Sequence, residues 1–238
     1  LGVITRLISQ LIAGLIIIGA GLSIQDIGDY YLFNPIDLGF FGVLLTILAV
    51  IGLTNAINFI DGIDGLCAGI VLVALLTLFI FIKFSGNDIN TTTINIISLS
   101  ILIFLLFNLG LTPFKKIFLG DAGSMDLGFF LSWFLIYYSH PSIASIHPVL
   151  VLWCVTIPVY DLISAVIRRL INKANPFKPD RRHIHHLLID LKISPVKVFL
   201  ILIFFTIILN LIGGLIYFNF GPAPALLSYF ILLSIYVY

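Results

Sequence analysis

Apolar runs of about 20 residues recur along the whole of this chain, more than one soluble core can absorb. A helical run of that length matches the hydrocarbon core of a bilayer, because all of its backbone polar groups bond within the segment. About eight runs are read: 7–24, 40–54, 66–82, 94–107, 127–138, 148–167, 198–217 and 224 to the end. Several are shorter than a full span, which puts their polar ends at the membrane interface. The composition agrees. Of 238 residues, 61% are hydrophobic and 10% charged, whereas soluble domains carry about a quarter charged residues. The expected fold class is an all-α polytopic membrane protein with about eight transmembrane helices. No repeat or low-complexity linker divides it, so 1–238 is read as a single domain. No cleavable signal is expected, because the first apolar segment continues into a membrane-length run. The polar stretch QDIGDYYLFNPIDLG alternates apolar residues around a turn-like Asn34-Pro35 and is expected to form a short extracytoplasmic β-hairpin. Cys67 and Cys154 lie in apolar segments without a Cys-x-x-Cys spacing and read as small buried side chains.

Lysine and arginine positions set the orientation. With the gaps numbered alternately, one set holds Arg6, Lys115, Lys116, Arg168, Arg169, Lys173, Lys178, Arg181, Arg182, Lys192 and Lys197, and the other holds only Lys83. The first set is therefore cytoplasmic. The same set, chosen from the cations alone, also carries three polar motifs far apart in sequence. The net charge of +1 selects no partner by itself, and no nucleic-acid partner is expected.

The first motif is TNAINFIDGIDGL, in which Asn55, Asn58, Asp61 and Asp64 recur every three residues and line one side of a helix end. Gly62 and Gly65 let the backbone leave the helix or approach another group. An EF-hand is excluded, because Ile63 and Gly65 stand where oxygen ligands are needed. What remains is a solvated interfacial loop, or a site for a divalent cation or for a substrate rich in hydroxyls and amides.

The second motif, FLGDAGSMDLGFFL, opens the fifth run with Asp121 ahead of small residues. Exposed N–H groups at a helix start favour an anion. Asp121 is either an N-cap or a ligand of a Mg²⁺ that also touches phosphate. Asp126, about one turn on, is a candidate outer partner. The third motif, NPFKPDRRHIHHLL, sets His183, His185 and His186 among Lys178, Arg181 and Arg182. A basic anchor for lipid headgroups accounts for the arginines but not for three clustered histidines, which suit phosphate binding and proton handling. Zinc spacing is missing. Asp161, near the cytoplasmic end of the sixth run, is an intramembrane ionisable residue with Arg168 as its expected partner. Together these features imply a Mg²⁺-dependent phosphoryl-transfer site at the cytoplasmic interface, with one water-soluble phosphorylated substrate and one lipid reached between helices.

NAINFIDGIDGL, IFLGDAGSMDLGF and PDRRHIHHLL resemble, in order and spacing, the polyprenyl-phosphate N-acetylhexosamine-1-phosphate transferases, glycosyltransferase family four. The resemblance covers essentially the whole chain. His-Ile-His-His and FNLGLTPFKKIFLGDAGS are closer to the N-acetylglucosaminyl branch than to the muramoyl-pentapeptide branch, which carries three successive histidines. The resemblance implies transfer of N-acetylglucosamine-1-phosphate from UDP-N-acetylglucosamine to undecaprenyl phosphate with release of UMP, the first step of a cell-envelope polysaccharide. It implies catalytic roles for Asp61, Asp64, Asp121 and His185. It places Mg²⁺, or Mn²⁺ in its stead, on Asp121 and Asn55. It assigns substrate contacts to Asn55, Asn58, Phe118, Arg181, Arg182, His183 and His186, with Asp64 and Phe118 by the uridine. It also implies a multi-pass protein of the bacterial inner membrane with its site facing the cytoplasm and a homodimer as a candidate assembly.

One departure stands out. The family carries an adjacent Asp-Asp pair at the cytoplasmic end of an earlier span, and no Asp-Asp occurs here. Residues 6–10 resemble the segment just after that pair. The expectation is therefore that the family's N-terminal helices lie outside these residues, and that the chain alone has little or no activity. Two rival readings are a secondary transporter, whose sites lie near the midplane between symmetric halves, and a non-catalytic scaffold, for which Asp121→Asn is silent.

Overall fold

The computed structural model describes residues 2–30, 35–86, 89–143, 146–173 and 183–238. Among them are ten helices: α1 (Val3–Gly19), α2 (Phe40–Ile60), α3 (Leu66–Phe84), α4 (Thr92–Asn108), α5 (Gly120–Ser139), α6 (Pro148–Cys154), α7 (Thr156–Ile171), α8 (Ile184–Asp190), α9 (Pro195–Phe220) and α10 (Pro222–Val237). The all-helical membrane architecture is as expected, but the count of membrane-length spans is not. Among the described residues, only α2, α3 and α9 are long and apolar enough to cross a bilayer, with a fourth span if α6 and α7 are taken together. At 17, 17 and 16 residues, α1, α4 and α10 reach roughly 25 Å at 1.5 Å per residue, short of the roughly 30 Å of hydrocarbon.

The expected sixth span is broken. α6 and α7 meet at 81°. Pro158 has no N–H to offer the Cys154 carbonyl, and its ring disfavours a continuous helix through the preceding residues. The Thr156 hydroxyl donates to the Trp153 carbonyl at 2.9 Å and so satisfies part of the freed backbone. Of the expected β-hairpin, the described residues show one antiparallel bridge, between Asp26 and Asp37. Both carboxylates accept from their own backbone two residues on, at Gly28 and Gly39, each at 2.8 Å. Such local turns compete with a strand ladder. Residues 31–34 of the expected hairpin lie outside the described residues.

α3 is the central helix, with 67% of its span buried inside the protein, against 28% for α9, which faces outward. α2 packs on α5 along the other side of the core. Gly128 makes this approach close, since a Cβ there would lie 2.8 Å from Thr54 Cα. Apolar side chains left exposed, such as Leu48, Leu99, Leu200 and Phe204, suit a lipid surround. There, association rests on packing and on polar ties. Asn210 of α9 pairs with Thr77 of α3 at 2.9 Å, and Trp153 Nε1 donates to the Ala225 carbonyl of α10 at 3.2 Å. Because α2 through α5 alternate in direction, the C-terminus of α2, the N-terminus of α3, the C-terminus of α4 and the N-terminus of α5 share one end of the bundle.

Candidate functional site at one end of the bundle

That shared end is where the three motifs meet. α2 stops at Ile60, and the 61–65 loop turns into α3 through Gly65, whose φ of 81° is strained for any residue with a Cβ. The turn is pinned by Asn108, at the end of α4. Its Oδ1 accepts from the Gly65 N–H at 2.6 Å, and its Nδ2 donates to the Ile117 carbonyl at 2.7 Å. One buried amide thus joins the aspartate loop to the segment that leads into α5. Neither end of that bridge was evident in the sequence, because an asparagine closing an apolar helix is an ordinary cap signal.

The three aspartates form the floor. Asn58 Nδ2 donates to Ser124 Oγ at 2.8 Å, tying the end of α2 to the first turn of α5. Asp61 is partly buried. Its carboxyl is pushed above the usual range, first by burial and then by the Asp121 carboxylate, with Ser124 pulling it down and Asp64 adding to the rise. Asp121 lies in the first turn of α5 but caps nothing with its side chain. It accepts from the Arg6 guanidinium of α1. Asp64 accepts from Lys116 Nζ at 2.9 Å. Neither cation is a candidate site residue by sequence pattern. Asn55 is turned toward α1, its Nδ2 donating to Gln10 Oε1 at 2.8 Å and to the Ile51 carbonyl at 2.7 Å. Asp126 is exposed on α5.

The histidine segment closes the site from the side. His185 is fully buried, and neither of its ring nitrogens has a hydrogen-bond partner. Its Nε2 occupies the space that a Cβ at Gly62 would fill. Burial, reinforced by His186 at 4.1 Å between ring centroids, lowers its pKa to about 4, so it is neutral at pH 7. His183 pairs with Asp161 rather than with the aspartate loop, Nδ1 to Oδ2 at 2.6 Å. The Arg168 guanidinium, expected beside Asp161, donates to Ser164 Oγ at 3.0 Å. Phe118 is 73% exposed on the segment before α5. Arg181 and Arg182 lie outside the described residues.

A cavity of about 330 Å³ opens beside Asp64, bounded by Gly62, Ile63, Lys116, Val196 and Phe199. A second, apolar cavity of about 630 Å³ lies between α2, α5 and the broken α6–α7 pair, lined by Leu48, Leu53, Val151 and Leu162 among others. Among the described residues no three His, Cys, Asp or Glu side chains converge as a metal cage. The mutual repulsion felt at Asp61 nevertheless fits a hard divalent cation, which takes few carboxylates when substrate phosphates supply the remaining oxygens.

Fold and site together define a helical membrane protein with an acidic, histidine-flanked polar site at one end of its bundle. Comparison with known proteins sharpens this. The glycosyl transferase family 4 model matches residues 1–139. The undecaprenyl-phosphate alpha-N-acetylglucosaminyl 1-phosphate transferase of Haemophilus influenzae is 35% identical over 227 residues, covering 90% of this chain and 63% of that protein. The same-named protein of Salmonella typhi is 34% identical over 233 residues, covering 96% and 63%. That of Escherichia coli K12 is 33% identical over 197 residues, covering 82% and 54%. The chain belongs to glycosyl transferase family 4, and it spans less than two thirds of the length of these relatives.

Proposed function

We propose that this chain forms the donor and metal site of a transferase that moves N-acetylglucosamine-1-phosphate from UDP-N-acetylglucosamine to undecaprenyl phosphate, releasing UMP. The observation that carries the reading is the meeting of Asp61, Asp64 and Asp121 with His185 at one end of an apolar bundle. Eleven of the twelve lysines and arginines lie in loops or helix ends assigned to that side, which supports a cytoplasmic site in a bacterial inner membrane.

In this reading Asp121, with Asp61 and Asn55, holds Mg²⁺, which would offset the diphosphate's negative charge. Asp64 and Lys116 flank the 330 Å³ cavity, which accepts the nucleotide; the exposed Phe118 closes over the base. A lipid-phosphate oxygen attacks the β-phosphorus, and the bond from that phosphorus to the bridging oxygen breaks as UMP leaves. Neutral His185, held beside the aspartate loop, offers one N–H and one lone pair to the reacting phosphates. Arg181 and Arg182 supply charge to the same anions. The apolar cavity between α2, α5 and the α6–α7 break supports a lipid acceptor. The test is a panel of radiolabelled UDP-sugars with membranes carrying the full-length protein, scored for lipid-linked product. Labelled lipid from UDP-N-acetylglucosamine and none from the muramoyl-pentapeptide donor is the expected result. Labelling from the latter alone would move the chain to the other branch.

A further inference from the structure

Asp161 lies in the second turn of α7 and is only 2% exposed. A carboxylate buried among apolar helices persists only with compensating partners. These partners come from two other elements. His183 Nδ1 is 2.6 Å from Oδ2, the Ile184 N–H donates to Oδ1 at 2.9 Å, and the Tyr236 hydroxyl of α10 donates to Oδ1 at 3.4 Å. One carboxylate therefore holds both the side chain that precedes α8 and the first backbone N–H of that helix. His183 is itself enclosed, 4% exposed, its ring stacked on Phe59 of α2 at 5.1 Å. Two residues on, the His185 ring lies parallel to His183, with centroids 6.2 Å apart and planes within 5°, and rests against Gly62.

α8 has only seven residues, too few to hold its own conformation in water. The position of His185 must then be imposed from outside, and the contacts to Asp161 are directed and charge-assisted. We propose that Asp161 is a positioning residue. Its pair with His183 locks the first turn of α8 to α7 and α10 and so fixes His185 against the aspartate loop. His183 acts through this lock and makes no substrate contact. The kinetic consequence rests on the phosphoryl-transfer reading above; the lock itself does not.

Two measurements on the purified full-length protein separate these levels. The first is the rate at which diethyl pyrocarbonate modifies His185, read by peptide mass spectrometry, with His147 at the opposite end of the bundle as the internal reference. Asp161→Ala raises the His185 rate about tenfold or more relative to His147, as expected when a buried group gains access by local opening. His183→Asn carries the same expectation and decides the matter if Asp161→Ala fails to accumulate. A His185 rate within about twofold of the unmodified protein overturns the proposal. The second is steady-state transfer. Asp161→Ala lowers kcat about tenfold with KM for UDP-N-acetylglucosamine little changed, and Asp161→Glu recovers part of the loss. An unchanged kcat overturns the positioning role. If the unmodified full-length protein shows no transfer, the functional reading fails while the labelling result still judges the lock.

Discussion

The environment of His185 is set by what residue 62 lacks. With hydrogen as its side chain, Gly62 leaves the space that the imidazole Nε2 occupies. The predicted outcome for Gly62→Ala is a displaced His185 and a fall of about tenfold or more in kcat, worth about 1.4 kcal/mol of barrier, with an unchanged amount of protein in the membrane. The assay is transfer from labelled UDP-N-acetylglucosamine, normalised to protein. At this scale much of the site could be read from the sequence. Two aspartates between glycines, an aspartate at a helix start and a histidine cluster each break an apolar pattern strongly enough to be seen. Arg6, Lys116 and Asn108 could not be placed in the same way. Their partners, Asp121, Asp64 and Gly65, lie 115, 52 and 43 residues away. Such pairing follows from how the helix ends are gathered, and local pattern does not encode it.

Among the elements, the helices are legible in the hydropathy pattern but their continuity is not. Hydropathy runs unbroken across 148–167, and that continuity concealed the break that Pro158 imposes. The start of the same broken pair carries a pH dependence. His147 caps α6, its Nδ1 accepting from the Val149 N–H at 3.1 Å while Nε2 meets the Asp29 carbonyl at 3.0 Å. An accepting Nδ1 must be unprotonated. Burial lowers the His147 pKa below its ordinary value, and the opposing pull of Asp29 and Asp26 only partly restores it. The unfolded chain therefore binds the proton more readily, so the contribution is present above about pH 6.5 and lost as pH falls below it. A cap of this kind is worth about 1 kcal/mol. The detergent-solubilised protein is predicted to melt a few degrees lower at about pH 5.5 than at pH 7.5. His147→Asn, which keeps a capping oxygen and removes the titration, flattens that difference. An equally steep pH dependence in His147→Asn would assign the effect to another group.

For the whole molecule, the proposed function requires that distant loops be gathered at one end of the bundle and that this end face the cytoplasm. The gathering is visible in the Asn58–Ser124 bond, the Asn108 bridge and the seating of His185 on Gly62. The orientation is proposed from the distribution of lysine and arginine. The gathering was legible because motif positions are a one-dimensional signal. The short α1, α4 and α10 and the bent α6–α7 pair were not, since the length of a helix in a bundle is settled by its neighbours as much as by its own hydropathy. The central claim is a cation-dependent phosphoryl-transfer site centred on Asp121. Its most direct test is release of UMP from UDP-N-acetylglucosamine by membranes carrying the full-length protein, with and without Mg²⁺, beside Asp121→Asn at equal membrane levels. The account predicts release that requires Mg²⁺ and falls by about a thousandfold or more in Asp121→Asn, in keeping with loss of a group that stabilises transition-state charge. Undiminished, Mg²⁺-dependent release by Asp121→Asn would contradict it.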